Sequence, residues 1–146
     1  MRGIVVYDSW SGNTKKVAEA ITAGCNFTLT KVDEAPLDLQ NYDILILGTP
    51  NIRAHPSDKI IHYMEKLILP KKFSLFVTFG VPIWGQIFSL SCFKYMRQQL
   101  EAKNSQFVGK FMCPGYHVKY KTYKGRPSDK DLCGAKEFGK LILSSI

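Results

Sequence analysis

Residues 7–14 read YDSWSGNT and gather hydroxyl and amide side chains around a single glycine, directly after the hydrophobic run Ile4-Val5-Val6. Ser9, Ser11, Asn13 and Thr14 each carry a side chain that donates or accepts hydrogen bonds, and Gly12 lets the backbone approach a ligand closely. The residues after Thr14 look like the start of a helix. A strand, a polar glycine turn and a helix start together make an anion cradle, in which backbone N–H groups and hydroxyls hold a phosphate without any lysine. A plain strand-to-helix turn would need only part of this set.

Hydrophobic periodicity supplies the elements that must position the cradle. Strands are expected over Gly3–Tyr7, Phe27–Val32, Ile44–Gly48, Phe73–Thr78 and Gln106–Phe111. Helices are expected over Thr14–Ala23, with Val17, Ala18 and Ile21 inward and Gly24 as its stop, and over Ser57–Leu69, with Ser57 as N-cap and Ile60, Ile61, Met64, Leu67 and Ile68 inward. A long helix from Gln86 or Ile87 to Lys103 and a closing one over Asp129–Ser144, capped by Ser128, complete the alternation. ILILG and LFVTF are apolar almost throughout, as strands are when helices cover both faces of a parallel sheet. The pattern is that of a doubly wound α/β domain.

In such a sheet ligands bind beyond the carboxyl ends of the strands, where strand order reverses. Three loops lie there: Asp8–Asn13, Thr49–Pro56 and Phe79–Gln86. The second and third bring flat or apolar groups, Pro50, Ile52, Phe79, Val81, Pro82 and Trp84. A phosphate cradle beside two apolar walls points to a phosphorylated planar cofactor.

The length of 146 residues fits one domain. Its 45% hydrophobic and 22% charged content is ordinary for a folded domain, and no run reaches the roughly 18 apolar residues of a membrane span. The N-terminus lacks the apolar length and small-residue cleavage pattern of a signal peptide, so a cytoplasmic protein is expected. Cys25, Cys92, Cys113 and Cys133 form no CxxC pair and no Cys/His cluster at metal spacing, and free, mostly buried thiols are expected. Cys113-Pro114-Gly115 is not followed by the arginine that a cysteine phosphatase loop requires.

The formal charge of +8 speaks to partners rather than fold, and the excess lies towards the C-terminus, where residues 106–146 hold seven lysines and one arginine against three carboxylates. Within the long irregular stretch CPGYHVKYKTYKGRPSD, Tyr116, Tyr120 and Tyr123 interleave with Lys119, Lys121, Lys124 and Arg126. No nucleic-acid module surrounds them, so the stretch reads as a solvated basic loop able to dock on an acidic face. Of the histidines, His62 and His117 read as structural or solvated. His55, at the mouth of the second loop, is the one candidate proton donor.

YDSWSGNT resembles the flavodoxin phosphate loop, whose usual form is hydroxyl, any residue, hydroxyl, glycine, any residue, threonine; Ser9, Ser11, Gly12 and Thr14 match it. NYDILILGTPN resembles the family's third strand with the loop beside the flavin ring, and GRPSDKDLCGAKEFGKLI the closing helix of small microbial flavodoxin-like proteins. The likeness spans nearly the whole chain. It implies a single-domain three-layer α/β sandwich over residues 1–146, with a five-stranded parallel sheet in order 2-1-3-4-5 and one noncovalent FMN. Position by position, Ser9, Trp10, Ser11, Gly12, Asn13 and Thr14 would bind the phosphate. Thr49, Pro50, Asn51, Ile52 and Arg53 would flank one side of the isoalloxazine, and Phe79, Gly80, Val81, Trp84, Gly85 and Gln86 the other. No catalytic residue and no metal ligand is implied.

The chain departs from the family around the ring. Flavodoxins commonly stack an aromatic from the second loop, where this sequence has Pro50, Asn51 and Ile52. They often place an acid and a tyrosine in the third, where it has Gly80-Val81-Pro82-Ile83-Trp84. Trp84 either stacks on the flavin or covers the start of the long helix. Asn51-Ile52 resembles the Asn-Ile step of some flavodoxins, where a peptide flip presents a carbonyl to the flavin N5–H, but no glycine lies between Asn51 and His55 to ease it. The implied function is electron transfer through FMN to a redox partner protein with an acidic docking face. The alternatives are a small FMN-dependent NAD(P)H or quinone oxidoreductase, and a flavin-free interaction module that keeps the fold.

Overall fold

The computed structural model describes residues 1–146. Strands β1 (Gly3–Tyr7), β2 (Thr28–Lys31), β3 (Ile44–Pro50), β4 (Lys72–Phe79) and β5 (Gln106–Pro114) alternate with helices α1 (Asn13–Cys25), α2 (Asp58–Lys66), α3 (Trp84–Glu101) and α4 (Asp129–Ser144). The strands pair in parallel in the order β2-β1-β3-β4-β5, as the family resemblance implies. Period-two alternation sorts their side chains between two cores. Ile4, Val6, Leu45, Leu47, Leu75 and Val77 pack with residues of α2 and α3, while Val5, Tyr7, Ile44, Ile46 and Phe76 pack with residues of α1 and α4.

Val17, Ala18 and Ile21 of α1 are fully buried, as expected. Burial of each larger side chain contributes about 1.5–3 kcal/mol, enough to hold a 13-residue helix that would be marginal alone. The helix does not stop at Gly24. It continues to Cys25 and closes on Asn26, whose left-handed backbone returns its N–H to the Thr22 carbonyl. Gly24 instead meets α4: a Cβ there would lie 2.0 Å from the Lys136 carbonyl oxygen, and one on Gly139 would lie 2.2 Å from that of Ile21. The two helices cross in backbone contact.

Other element ends differ from expectation for identifiable reasons. α2 ends at Lys66, not Leu69, because Pro70 disfavours helix before it and Leu67 is already extended. Ile68 is therefore exposed, and Tyr63 takes an inward place. Ser57 occupies the N-cap position but its hydroxyl makes no capping bond. β3 and β5 run on to Pro50 and Pro114 because β4 pairs with β3 through Thr78 and with β5 through Phe79. A terminal strand position tolerates a residue with no N–H to donate. Ser128 caps α4 as predicted, in a reciprocal box with Asp131.

Candidate functional site

The β1–α1 turn lies where strand order reverses, β1 standing between β2 and β3. Gly12 takes φ 93° with open space where a Cβ would be, a conformation that most side chains would strain. Ser9 sits behind the turn, its hydroxyl accepting from the N–H groups of Gly12 and Lys15, each at 3.2 Å. The N–H groups of Asn13 and Thr14, which open α1, have no carbonyl a turn below to bond. Thr14 is buried, with its hydroxyl 2.8 Å from that of Thr78. Trp10, Ser11, Asn13 and Thr14 line a cavity of ≈ 310 Å³; Ser9 and Gly12 shape the turn without lining it.

The second loop supplies one wall. Thr49 is buried beneath it and accepts from the Ser57 N–H at 2.9 Å, while Pro50, Asn51 and Ile52 line the cavity. The Asn51 amide donates to the Gly85 carbonyl and its oxygen accepts from the Ala54 N–H at 2.9 Å, which ties the second loop to α3. Positive φ falls on Arg53 and Ala54, inside a tight turn closed by two bonds between Ile52 and His55. Arg53 lines an adjoining cavity of ≈ 320 Å³. His55 lines neither cavity. Its ring packs edge-on against Tyr95, 5.6 Å between centroids, so it is not placed as a proton donor there.

In the third loop Phe79 and Gly80 line both cavities, and Val81 and Gly85 the second. Trp84 does not face them: it begins α3, is 60% exposed and stacks on Phe88 at 5.9 Å. Of the two alternatives for Trp84, the structure takes the one at the helix start. Gln86 borders a different opening of ≈ 550 Å³ between β5 and α4. There Arg126 and Asp131 are already paired at 2.5 Å.

A fourth wall was missed. The stretch after β5 reaches over the site: Gly115, Tyr116, His117, Val118 and Lys119 line the first cavity, and His117 and Tyr120 the second, although Val118, Lys119 and Tyr120 remain exposed. Asn13 donates to the Tyr116 carbonyl at 3.0 Å, and the Thr122 hydroxyl to that of Gly80. His117 accepts from the Tyr120 N–H through Nδ1 at 3.2 Å and stacks on that residue's ring at 4.5 Å. His117 thus takes the structural of its two expected roles, and the basic loop lines the cavity while its lysines stay exposed. The alternation of tyrosine and lysine was the available signal, because aromatic residues repeated through a loop have to pack on something.

The electrostatics of the site are one-sided. Lys119 is the sole formally charged residue lining the first cavity, and Arg53 the sole one lining the second. The Arg126 guanidinium, aided by Ser128, holds the Asp131 carboxyl at about 2, so that acid is committed to its own pair. Burial pushes the Cys113 thiol up to about 12, which leaves it unsuited to attack as a thiolate.

Comparisons with known proteins agree with this architecture. The family model described as a flavodoxin domain matches residues 4–122. The uncharacterized protein MJ0298 of Methanocaldococcus jannaschii is 29% identical over 99% of this chain and 100% of its own. Among solved structures, oxidised flavodoxin 1 from Bacillus cereus superposes with a TM-score of 0.77 at 17% identity, covering 100% of this chain and 99% of its own. A flavoprotein in complex with FMN from Lactobacillus acidophilus superposes at 0.62, with 17% identity over 76% of this chain and 92% of its own. The matched span is most of the sequence and contains the β1–α1 turn and both apolar loops: the chain belongs to the flavodoxin domain family.

Proposed function

We propose that this protein binds one FMN noncovalently and transfers electrons through it to a partner protein. The observation that carries this reading is the convergence of Ser11, Asn13 and Thr14 with Ile52 and Phe79 on one cavity, a polar helix start beside apolar walls. The donor set fits a flavin phosphate. Hydroxyls, an amide and the opening N–H groups of α1 face one place, and Gly12 leaves room beside them. FMN supplies the redox chemistry when bound.

The chain's own residues have narrower tasks. Ser11, Asn13 and Thr14 hold the phosphate, Ile52 and Phe79 shield the ring from water, and Arg53 contributes positive charge. Trp10 and Val81 stand at the mouth, 68% and 37% exposed. A partner with an acidic face would complement the chain's charge of +8. No helix is long and apolar enough to cross a membrane.

The test is a titration of the apoprotein with FMN and with riboflavin, followed by flavin fluorescence. Thr14→Val removes a hydrogen bond to a charged group worth roughly 1.5–3 kcal/mol, so FMN should bind about ten- to a hundredfold more weakly while riboflavin changes little. Equal losses for the two flavins would take Thr14 off the phosphate. A wild-type protein that binds neither would end the reading. Steady consumption of NAD(P)H with a small acceptor would replace the carrier by an oxidoreductase.

A further inference from the structure

We infer that residues 115–124 form a clamp that closes on the cofactor's phosphate, with Lys119 as the phosphate's counter-cation. The inference rests on the FMN reading and goes further, assigning a role to a segment outside the phosphate loop. Lys119 lines the same cavity as Ser11, Asn13 and Thr14, and no carboxylate lines it. Its ammonium makes no ion pair within the chain; its one close partner is the Tyr120 ring, 5.6 Å away. A phosphate monoester carries nearly two charges near neutral pH, and a lysine-free cradle meets them with dipoles alone. Lys119 is the group placed to offset the remainder.

The clamp is joined to the cradle by Asn13. That amide nitrogen reaches both Ser11 Oγ at 3.2 Å and the Tyr116 carbonyl at 3.0 Å. The two sides approach so closely at Gly115 that a Cβ there would sit 2.5 Å from Asn13 Nδ2. At the other end Thr122 bonds the Gly80 carbonyl and Tyr123 lies edge-on to Phe79 at 5.8 Å. Within the segment Lys121 and Tyr123 hold φ of 53° and 54°, costly for residues with a Cβ. A short segment that is strained within and fixed at a few points opens easily, and a phosphate bridging Asn13 and Lys119 would close it.

Lys119, Lys121 and Lys124 are themselves trypsin sites, so the clamp carries its own reporter. Trypsin should cut after them in the apoprotein. Saturating FMN should slow those cuts about tenfold or more, and saturating riboflavin, which lacks the phosphate, much less. Lys119→Gln should weaken FMN binding about tenfold while leaving riboflavin within about twofold, and should remove FMN's extra protection at Lys121 and Lys124. Lys119→Arg should restore both. Equal protection by the two flavins, or an unchanged ratio of FMN to riboflavin affinity in Lys119→Gln, would overturn the clamp while leaving the FMN reading in place. If the wild type quenches neither flavin, the cofactor reading fails first, visibly and before any protease is added.

Discussion

The cavity has two polar walls, and they are held by opposite means. The β1–α1 turn is shaped mainly by local bonds, Ser9 reaching N–H groups three and six residues on and Asn13 reaching Ser11 two residues back, while Thr14–Thr78 and Asn13–Tyr116 tie it to the rest of the domain. That turn is also the head of a helix whose inward face is fully buried. The stretch from Gly115 to Ser128 depends on distant partners, Asn13 at a separation of 103 residues and Gly80 at 42, and its lysines are exposed. One wall therefore carries most of its turn geometry within a single strand-helix unit. The other exists only when the whole sheet is assembled, and it should be the first part of the site to open.

Three substitutions break or sharpen that contrast. The largest effect is expected from Gly139→Ala, which places a Cβ against the Ile21 carbonyl and forces apart the helices behind both walls. A loss of about 3 kcal/mol and ~10 °C in thermal midpoint is expected, measured by calorimetry. If the two helices instead slid apart without cost, the midpoint would not move.

Asp131→Asn acts on the distant-contact wall alone. It weakens the Arg126 pair and the Ser128 cap, for a loss of about 1 kcal/mol, and should speed tryptic cutting after Lys124 without altering the β1–α1 turn. It also predicts a pH signature. The Asp131 carboxyl sits at about 2 when folded against an ordinary 3.8, so the folded state favours its ionised form. That contribution is fully present above about pH 4 and is lost as pH falls through about 2. The variant should lack this component of acid unfolding; identical acid profiles for the two proteins would show that the pair contributes nothing in solution.

The smallest effect is expected at Arg53, in the apolar wall. One charge at roughly 10 Å and an effective dielectric of about 20 acts with ~1.7 kcal/mol, which salt screening over ~8 Å brings below about 1 kcal/mol, tens of millivolts for one electron. Removing it with Arg53→Gln should make the bound flavin harder to reduce. A redox titration that finds no shift would place this charge away from the ring.

What the sequence revealed follows the same division. The β1–α1 turn was legible because its hydroxyl spacing is a local pattern, and the doubly wound class because strands and helices alternate, while the strand order came from the family resemblance. Trp84 and Gln86 lie off these two cavities because α3 begins two residues earlier than its hydrophobic pattern shows, through a turn in which Ile83 adopts φ 63°. Nothing in a single sequence marks a β-branched residue for that conformation. Lys119 and His117 were read as parts of a basic loop and not as cavity lining, because their places depend on Asn13 and Gly80, which lie far off in the chain.

The glycine crossing of α1 and α4 works as the pivot of a caliper. Gly24 stands eleven residues from the start of α1, and Gly139 ten from the start of α4, so each arm is ~15 Å long. One arm ends in the β1–α1 turn and the other in the residues that anchor the facing segment. A tilt of about 4° at the pivot moves each tip by ~1 Å relative to it, comparable to the margin that separates a formed hydrogen bond from a lost one. The grip on a ligand can thus be retuned by a side chain that never comes near it, with no switch and no second conformation required.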